Sequence, residues 1–152
     1  MESAMIGLSG SITLERAIVI AAEAHAGETG KDGGPYILHC LRVMMAVEGQ
    51  DARVVAVLHD LLEHAPQWNL GRLRTEGCPE EVLDAIDAMT RRDGEDYFDF
   101  ARRAAANPLA RPVKIADLTD NLATTLKHTS PPVRDEKAAR YAKALRIVRS
   151  VS

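Results

Sequence analysis

Four residues with acid–base and metal-binding side chains lie close together in one apolar stretch, VVAVLHDLLEH at positions 54–64. Valines and leucines recur there at helical spacing, so the stretch is typical of a buried amphipathic helix that carries His59, Asp60, Glu63 and His64. Buried imidazoles and carboxylates are costly unless they are paired or bound to a metal. One helical turn separates His59 from Glu63 and Asp60 from His64, which predicts a single polar cluster. A cation could be held there once another helix covers the cluster; the alternative is a helix end with solvated charges.

Two further segments place polar groups among apolar neighbours. His39 lies in YILHCLRV (36–43), and Asp117 lies in VKIADLTDNL (113–122). A single histidine on an apolar face is usually a satisfied core residue. Two imidazoles and two carboxylates on three helices instead favour a mixed nitrogen and oxygen site for divalent manganese, iron or zinc. Asp120 competes with Asp117 for this role, and we favour Asp117 because its neighbours are more apolar.

The elements that must position these groups are all predicted to be helices. No segment alternates polar and apolar residues over a strand length, and the aromatic content is only 4%. Asp51, Asp96 and Asn107 stand where helix N-caps are expected. We predict an all-α fold with a flexible N-terminal arm over 1–11 and a single compact helical domain of about seven or eight helices over 12–152.

Composition limits the classes of partner and the compartment. The net charge of −3 argues against a dedicated nucleic-acid surface. Cys40 and Cys78 are isolated, so they are predicted to be small buried hydrophobes in a reducing cytosol. No apolar run is long enough to span a membrane, and no basic-then-apolar leader opens the chain. We therefore expect a soluble cytoplasmic protein without a membrane partner.

The residues carry a resemblance to a known family. YILH (36–39), LHDLLE (58–63) and VKIAD (113–117) with Asn121 resemble the three signature segments of the HD superfamily. More narrowly, they resemble the alarmone-hydrolase branch of the RelA/SpoT proteins and the free-standing small alarmone hydrolases. Ala24-His25, Lys31 and GPYI (34–37) belong to the same resemblance, which extends from about Thr13 to Tyr141.

The resemblance implies an HD-type helical domain, an activity and roles for nine residues. The family's metal ligands, usually for manganese, match His39, His59, Asp60 and Asp117. Glu63 matches the acid that orients or activates the attacking water, and the nucleotide-contacting positions match Lys31, Asn121, Lys137 and Tyr141. Such enzymes remove the 3′-pyrophosphate from (p)ppGpp, which predicts a metal-dependent phosphohydrolase, guanosine-3′,5′-bis(diphosphate) 3′-diphosphatase-like, acting on a small phosphorylated nucleotide.

Two positions depart from the family pattern. His64 stands where the family usually has aspartate, and Gly30 stands where an arginine often faces the base. An imidazole at position 64 can act as a general base, partner Asp60 or approach the metal. Two alternatives therefore stay open: a hydrolase of another phosphorylated nucleotide, and a nucleotide-binding or metal-sensing module with impaired catalysis.

Five other residues have competing interpretations. Arg91 lies in a turn that either presents basic groups to a polyphosphate or is merely solvated. Lys114 is predicted to be a surface lysine, with a reach from the Asp117 helix to a phosphate as the alternative, and Arg103 is predicted to lie on a solvated face. His25, at a helix end, is predicted to be structural or to support a ligand, and Trp68 belongs either to the core or to a lid.

Overall fold

The computed structural model describes residues 11–151, and their regular structure is helical. Nine helical segments follow one another: α1 Leu14–Ala24, α2 Ile37–Met45, α3 Gln50–Leu58, α4 Leu61–His64, α5 Leu70–Thr75, α6 Glu80–Ala88, α7 Tyr97–Ala106, α8 Ala110–His128 and α9 Val133–Ser150. The all-α prediction is confirmed, with one segment more than expected because α4 is a separate single turn. Apart from Ser11, the arm predicted for 1–11 lies outside the described residues. No helix within 11–151 has both the length and the apolar character needed to cross a bilayer.

Side-chain caps set the start of several helices. The carboxylate of Asp96 accepts hydrogen bonds from two backbone N–H groups in the first turn of α7, and the amide oxygen of Asn107 does the same before α8. Helix α3 differs from the prediction, because it begins one residue before Asp51. Its cap is Gly49, which has φ 94°, a conformation that side chains disfavour, so glycine fixes this corner.

The central stretch 54–64 is broken rather than continuous. Helix α3 ends at Leu58 and α4 begins at Leu61, so His59 and Asp60 lie in a turn. The ring nitrogen Nδ1 of His59 lies 2.6 Å from the backbone oxygen of Ala56. The prediction of one helix is therefore wrong at this point. The break matters because adjacent residues in a regular helix point in different directions, whereas this turn lets His59 and Asp60 face the same side.

Two apolar clusters hold the helices together, and α8 contributes to both. The larger cluster surrounds α3, whose residues 54–58 are all buried. The smaller joins α7, α8 and α9 through Ala101, Leu118, Tyr141 and Leu145, among others. Because α8 gives Val113 and Ala116 to the first cluster and Leu118 to the second, the intervening Asp117 lies between them. Its position is thereby fixed from both sides.

Three residues whose burial was predicted or left open belong to the core. Cys40 and Cys78 are free and buried, as predicted. Trp68 is 9% exposed and packs in the larger cluster, which decides for core over lid. The guanidinium carbon of Arg72 lies 3.8 Å from the centre of the Trp68 ring and covers it.

Arg103 is not the surface residue that the sequence predicted. Its guanidinium donates to both carboxylate oxygens of Glu95, at 2.9 and 2.8 Å, and to the backbone oxygens of Asp87 and Thr90. Arg102, beside it, is exposed as predicted. Arg103 thus ties the end of α6 to α7, and the sequence could not show this because all its partners lie on a preceding segment.

Replacing Glu95 with glutamine should reveal this tie as a pH-dependent stability. Hydrogen bonds from Arg103 lower the pKa of Glu95 to about 2 although burial opposes the shift. A folded-state pKa below the unfolded value stabilises the protein above about pH 4.3, and this contribution is lost as the pH falls towards 2. We expect Glu95→Gln to lower the free energy of unfolding by about 1–3 kcal/mol at pH 7 and by clearly less at pH 3, measured by urea denaturation.

The exposed pair of Arg74 and Glu80 supplies the control for this prediction. Its two side chains are 55% and 65% exposed, so Glu80→Gln should leave the free energy of unfolding nearly unchanged at both pH values. A Glu95→Gln deficit that is the same at pH 7 and pH 3 would contradict the prediction.

Candidate active site and metal centre

Four donor atoms from three parts of the fold converge on one point. His39 comes from α2, His59 and Asp60 from the turn between α3 and α4, and Asp117 from α8. His39 Nε2 and His59 Nε2 lie 3.0 and 3.2 Å from Asp117 Oδ1. Asp60 Oδ2 lies 3.0 Å from His59 Nε2 and 3.9 Å from His39 Nε2. Such separations are close to those between ligands of one transition-metal ion, which binds each at about 2.0–2.2 Å.

Hydrogen bonds on the far side of both imidazoles orient their rings. His59 Nδ1 lies against the Ala56 carbonyl, and His39 Nδ1 lies 2.7 Å from Asp120 Oδ2. Both contacts favour a proton on Nδ1, which leaves each Nε2 directed at the shared point. Asp120 is itself held by Arg42, whose Nε donates to it at 2.8 Å. The structure therefore places Asp117 among the four converging groups and Asp120 behind His39.

The electrostatics of this cluster fit a divalent cation. His59 Nε2 is buried and has no well-directed hydrogen bond to any residue within 11–151, although two carboxylate oxygens are near it. Burial lowers the pKa of His59, but Asp60 and Asp117 raise it well above the usual value. Burial opposes ionisation of both aspartates, yet His59 keeps their pKa values below the usual range. The negative potential that favours a proton on His59 would equally attract a metal ion in its place.

Neighbouring polar groups fix the two carboxylates. The phenol of Tyr36 donates a hydrogen bond to Asp60, and burial together with the Asp60 charge raises the pKa of Tyr36, so it remains a donor. Asn121 Nδ2 donates to Asp117 Oδ1 at 3.1 Å. Lys31 Nζ in turn donates to Asn121 Oδ1 at 3.1 Å. A chain of hydrogen bonds thus runs from Lys31 to the candidate metal ligand Asp117.

A cleft of about 220 Å³ opens over Asp60 and Asp117 and carries three basic side chains, Lys31, Arg91 and Lys114. Lys114 is only 3% exposed, so its prediction as a surface lysine is wrong. Its Nζ lies 3.6 Å from Asp117 Oδ2 and 4.0 Å from the centre of the Phe100 ring, because α7 covers it. The cleft therefore combines an acidic floor with cationic walls.

Glu63 lines the same cleft but does not join the four converging groups. Its side chain is exposed, and Oε2 accepts a hydrogen bond of 2.9 Å from the backbone N–H of Arg91. Arg91 itself lines the cleft, which favours the interpretation that its turn presents a basic group there. This contact occupies Oε2, so Oε1 of Glu63 stays available to a ligand in the cleft.

His64 lies in a second cluster rather than beside Asp60. Its Nδ1 is 2.8 Å from Glu28 Oε1, and the same oxygen is 2.9 Å from His25 Nδ1. The predicted single cluster of four groups is therefore wrong, because the break between α3 and α4 directs His64 away from Asp60. Burial raises the pKa of Glu28, but its hydrogen bonds with the two histidines leave it below the usual value. Sequence reasoning missed Glu28, and its spacing three residues after His25 was the only available signal.

The predicted pair on α9 is only partly at the cleft. Tyr141 is buried and lines the cleft, and Lys31 Nζ lies 5.8 Å from the centre of its ring. Lys137, one helical turn earlier, is half-buried and is not among the residues that line the cleft. The other predicted nucleotide contacts, Lys31 and Asn121, both lie on its wall.

Comparisons with known proteins agree with this fold. A solved structure of a metazoan ortholog of SpoT, described as hydrolysing ppGpp, matches with a TM-score of 0.76 at 20% identity, over 91% of this chain and 86% of that one. No protein-family model matches the chain. The chain has the fold of an HD-type helical domain and is similar to RelA/SpoT hydrolase domains.

Curated relatives are named either as pyrophosphokinases or as pyrophosphohydrolases. A probable GTP pyrophosphokinase of Mycobacterium leprae is 30% identical over 140 residues, which cover 84% of this chain. A guanosine-3′,5′-bis(diphosphate) 3′-pyrophosphohydrolase of Aquifex aeolicus is 28% identical over 142 residues, which cover 86%. The chain spans only 17% and 19% of the length of these two relatives.

Proposed function

We propose that this domain is a metal-dependent hydrolase that removes the 3′-pyrophosphate from (p)ppGpp or a closely similar nucleotide. The observation that carries the proposal is the convergence of His39, His59, Asp60 and Asp117 at the floor of a cleft with cationic walls. The names of the Aquifex relative and of the SpoT structure support the same reaction. We further propose manganese as the ion, with iron or zinc as substitutes, and the cytoplasm as the site of action.

The chemistry divides between the ion and the protein. An ion held by the four converging side chains would supply Lewis acidity towards a phosphoryl oxygen and would acidify a water molecule. Glu63 accepts the proton of the attacking water through its oxygen that does not contact Arg91. Lys31, Arg91 and Lys114 bind the phosphate oxygens and offset the charge that develops on them. Tyr36 and Asn121 keep the two carboxylates oriented.

A panel of nucleotides tests the proposal directly. The domain is loaded with manganese, iron or zinc and incubated with ppGpp, pppGpp, GTP and other phosphorylated nucleotides, and pyrophosphate release is measured. We expect ppGpp and pppGpp to be hydrolysed faster than nucleotides without a 3′-pyrophosphate. Because Gly30 provides no stacking group for the base, turnover of an adenine analogue at a similar rate would place the specificity in the pyrophosphate. Absence of turnover with every metal would contradict the hydrolase proposal.

Lys31→Ala should separate substrate binding from chemistry. Lys31 is exposed on the cleft wall and reaches Asn121, so its ammonium group is placed to bind a phosphate. Loss of one charge-assisted contact should raise KM by about tenfold or more, with a smaller effect on kcat. Lys127→Ala, which removes an exposed lysine near the end of α8, serves as the control and should leave both constants unchanged. An unchanged KM in Lys31→Ala would remove this residue from the substrate site.

A second candidate function is a nucleotide-binding module with impaired catalysis. The observation that favours it is that His64 contacts Glu28. The residue after Glu63 therefore supplies no second acid to the cleft. This function predicts that ppGpp raises the melting temperature in proportion to its affinity while no product forms. Turnover that disappears in Glu63→Gln would exclude it.

A further inference from the structure

The cluster of His25, Glu28 and His64 forms a compact donor set outside the centre described above. The three residues come from the end of α1, the loop after it and the end of α4. One ligand atom from each lies within 4.8 Å of the others. Two nitrogen donors and one carboxylate oxygen are a combination found in three-ligand zinc sites, where water or substrate takes a fourth position.

Burial and access differ among the three residues in a way that suits an ion. The His25 side chain is fully buried, whereas those of Glu28 and His64 are 32% and 31% exposed. His64 also lines the cleft, so an ion and its water could reach the cluster from solvent. His25 Nδ1 is the ring nitrogen that faces Glu28, and the other nitrogen, Nε2, is buried without a hydrogen-bond partner within residues 11–151.

The cluster is separate from the candidate metal centre but adjoins it. The Tyr36 ring stacks on His64 with 4.8 Å between ring centres and an angle of 24°, and it lies 5.1 Å from the centre of His25. The phenol oxygen of the same tyrosine binds Asp60. One aromatic side chain therefore separates the two sites, and an ion at the cluster would hold the His64 ring against Tyr36.

We propose that His25, Glu28 and His64 form a second metal site, one that binds a divalent transition metal of the zinc type. It goes beyond the proposed hydrolase activity and does not depend on it. Metal binding releases no proton from neutral imidazoles, because the proton on each ligating nitrogen moves to the other nitrogen of the same ring. The Glu28 carboxylate stays ionised. The ligand atoms must separate by roughly half an ångström, because tetrahedral zinc sets its ligands about 3.3 Å apart.

Zinc stoichiometry of the purified domain tests this site without any assay of activity. We expect the unaltered chain to bind about two zinc ions and both His64→Ala and Glu28→Gln to bind about one. His39→Ala should also bind about one, and the His39→Ala/His64→Ala double variant should bind none. Bound metal is measured by atomic emission after dialysis, and visible bands of tetrahedral cobalt give an independent readout. His64 and Glu28 are partly exposed, so their variants are expected to fold, which circular dichroism verifies.

The control variant is His128→Ala, which removes an exposed histidine at the end of α8 and should retain both ions. A zinc stoichiometry in His64→Ala equal to that of the unaltered chain would overturn the second site and leave only a hydrogen-bonded contact between Glu28 and the two imidazoles. That result would leave the proposed hydrolase intact, since nucleotide turnover is measured separately. Two bound zinc ions together with no turnover under manganese, iron or zinc would overturn the hydrolase and leave the second site standing.

Discussion

Asp117→Ala is expected to abolish hydrolysis and to release the metal from the candidate centre. Asp117 Oδ1 lies within 3.2 Å of the Nε2 atoms of both His39 and His59, so it is the group common to both imidazoles. Its removal would leave two histidines and Asp60, and it would also leave Lys114 buried without its carboxylate. We expect manganese affinity to fall by at least about 100-fold and ppGpp turnover to fall below detection, measured by calorimetric titration and pyrophosphate release.

Asp120→Ala distinguishes a ligand from a residue that orients one. Asp120 contacts the opposite nitrogen of His39, at 2.7 Å, and is tied to Arg42. Its loss should weaken metal binding by about 10–100-fold while activity returns at high metal concentration. Metal retained by Asp117→Ala but lost from Asp120→Ala would show that the two aspartates have been assigned the wrong roles.

Glu63→Gln is expected to lower kcat by about 10²–10⁴-fold while the metal stays bound. Glutamine has nearly the same shape, and its amide oxygen can still accept the hydrogen bond from the Arg91 backbone, so the fold of the cleft should persist. The amide cannot take a proton from water, which isolates that step. The measurement is single-turnover pyrophosphate release with saturating manganese, alongside a metal titration.

Glu81→Gln supplies a matched loss of one exposed carboxylate, on α6, and should leave the rate unchanged. A rate within a few-fold of normal in Glu63→Gln would remove this residue as the proton acceptor. A loss of metal together with a loss of rate would instead show that Glu63 is a metal ligand. We do not expect this outcome, because Glu63 Oε2 accepts a hydrogen bond of 2.9 Å from the backbone N–H of Arg91.

Local signals were sufficient for much of the fold. The caps at Asp96 and Asn107 were readable because each acts on backbone groups two or three residues away. The apolar pattern of α3 was readable because residues 54–58 of that helix are all apolar and buried. Three separate segments supplied the candidate metal ligands, and the structure brings His39, His59, Asp60 and Asp117 together.

Long-range partners and backbone breaks were not readable in the same way. Apolar residues recur at helical spacing on both sides of positions 59–60. The pattern therefore gave no sign that the helix ends before Asp60. Lys114 was assigned to the surface because nothing in its own segment shows that Phe100 of α7 covers it. Glu28 was missed because its partner His64 follows 36 residues later, across two helices. In each case the deciding contact depends on tertiary packing.

The packing of Trp68 has a practical consequence for spectroscopy. The chain contains one tryptophan and three tyrosines, so emission excited at wavelengths that only tryptophan absorbs comes from a single, known place beside α5. Trp68 does not line the cleft, and the Arg72 guanidinium that covers its ring separates from it when the chain unfolds. Emission should therefore shift to longer wavelength on denaturation yet stay nearly constant when a nucleotide or a metal binds. Every stability comparison between variants can use this one fluorophore without correction for the ligand state.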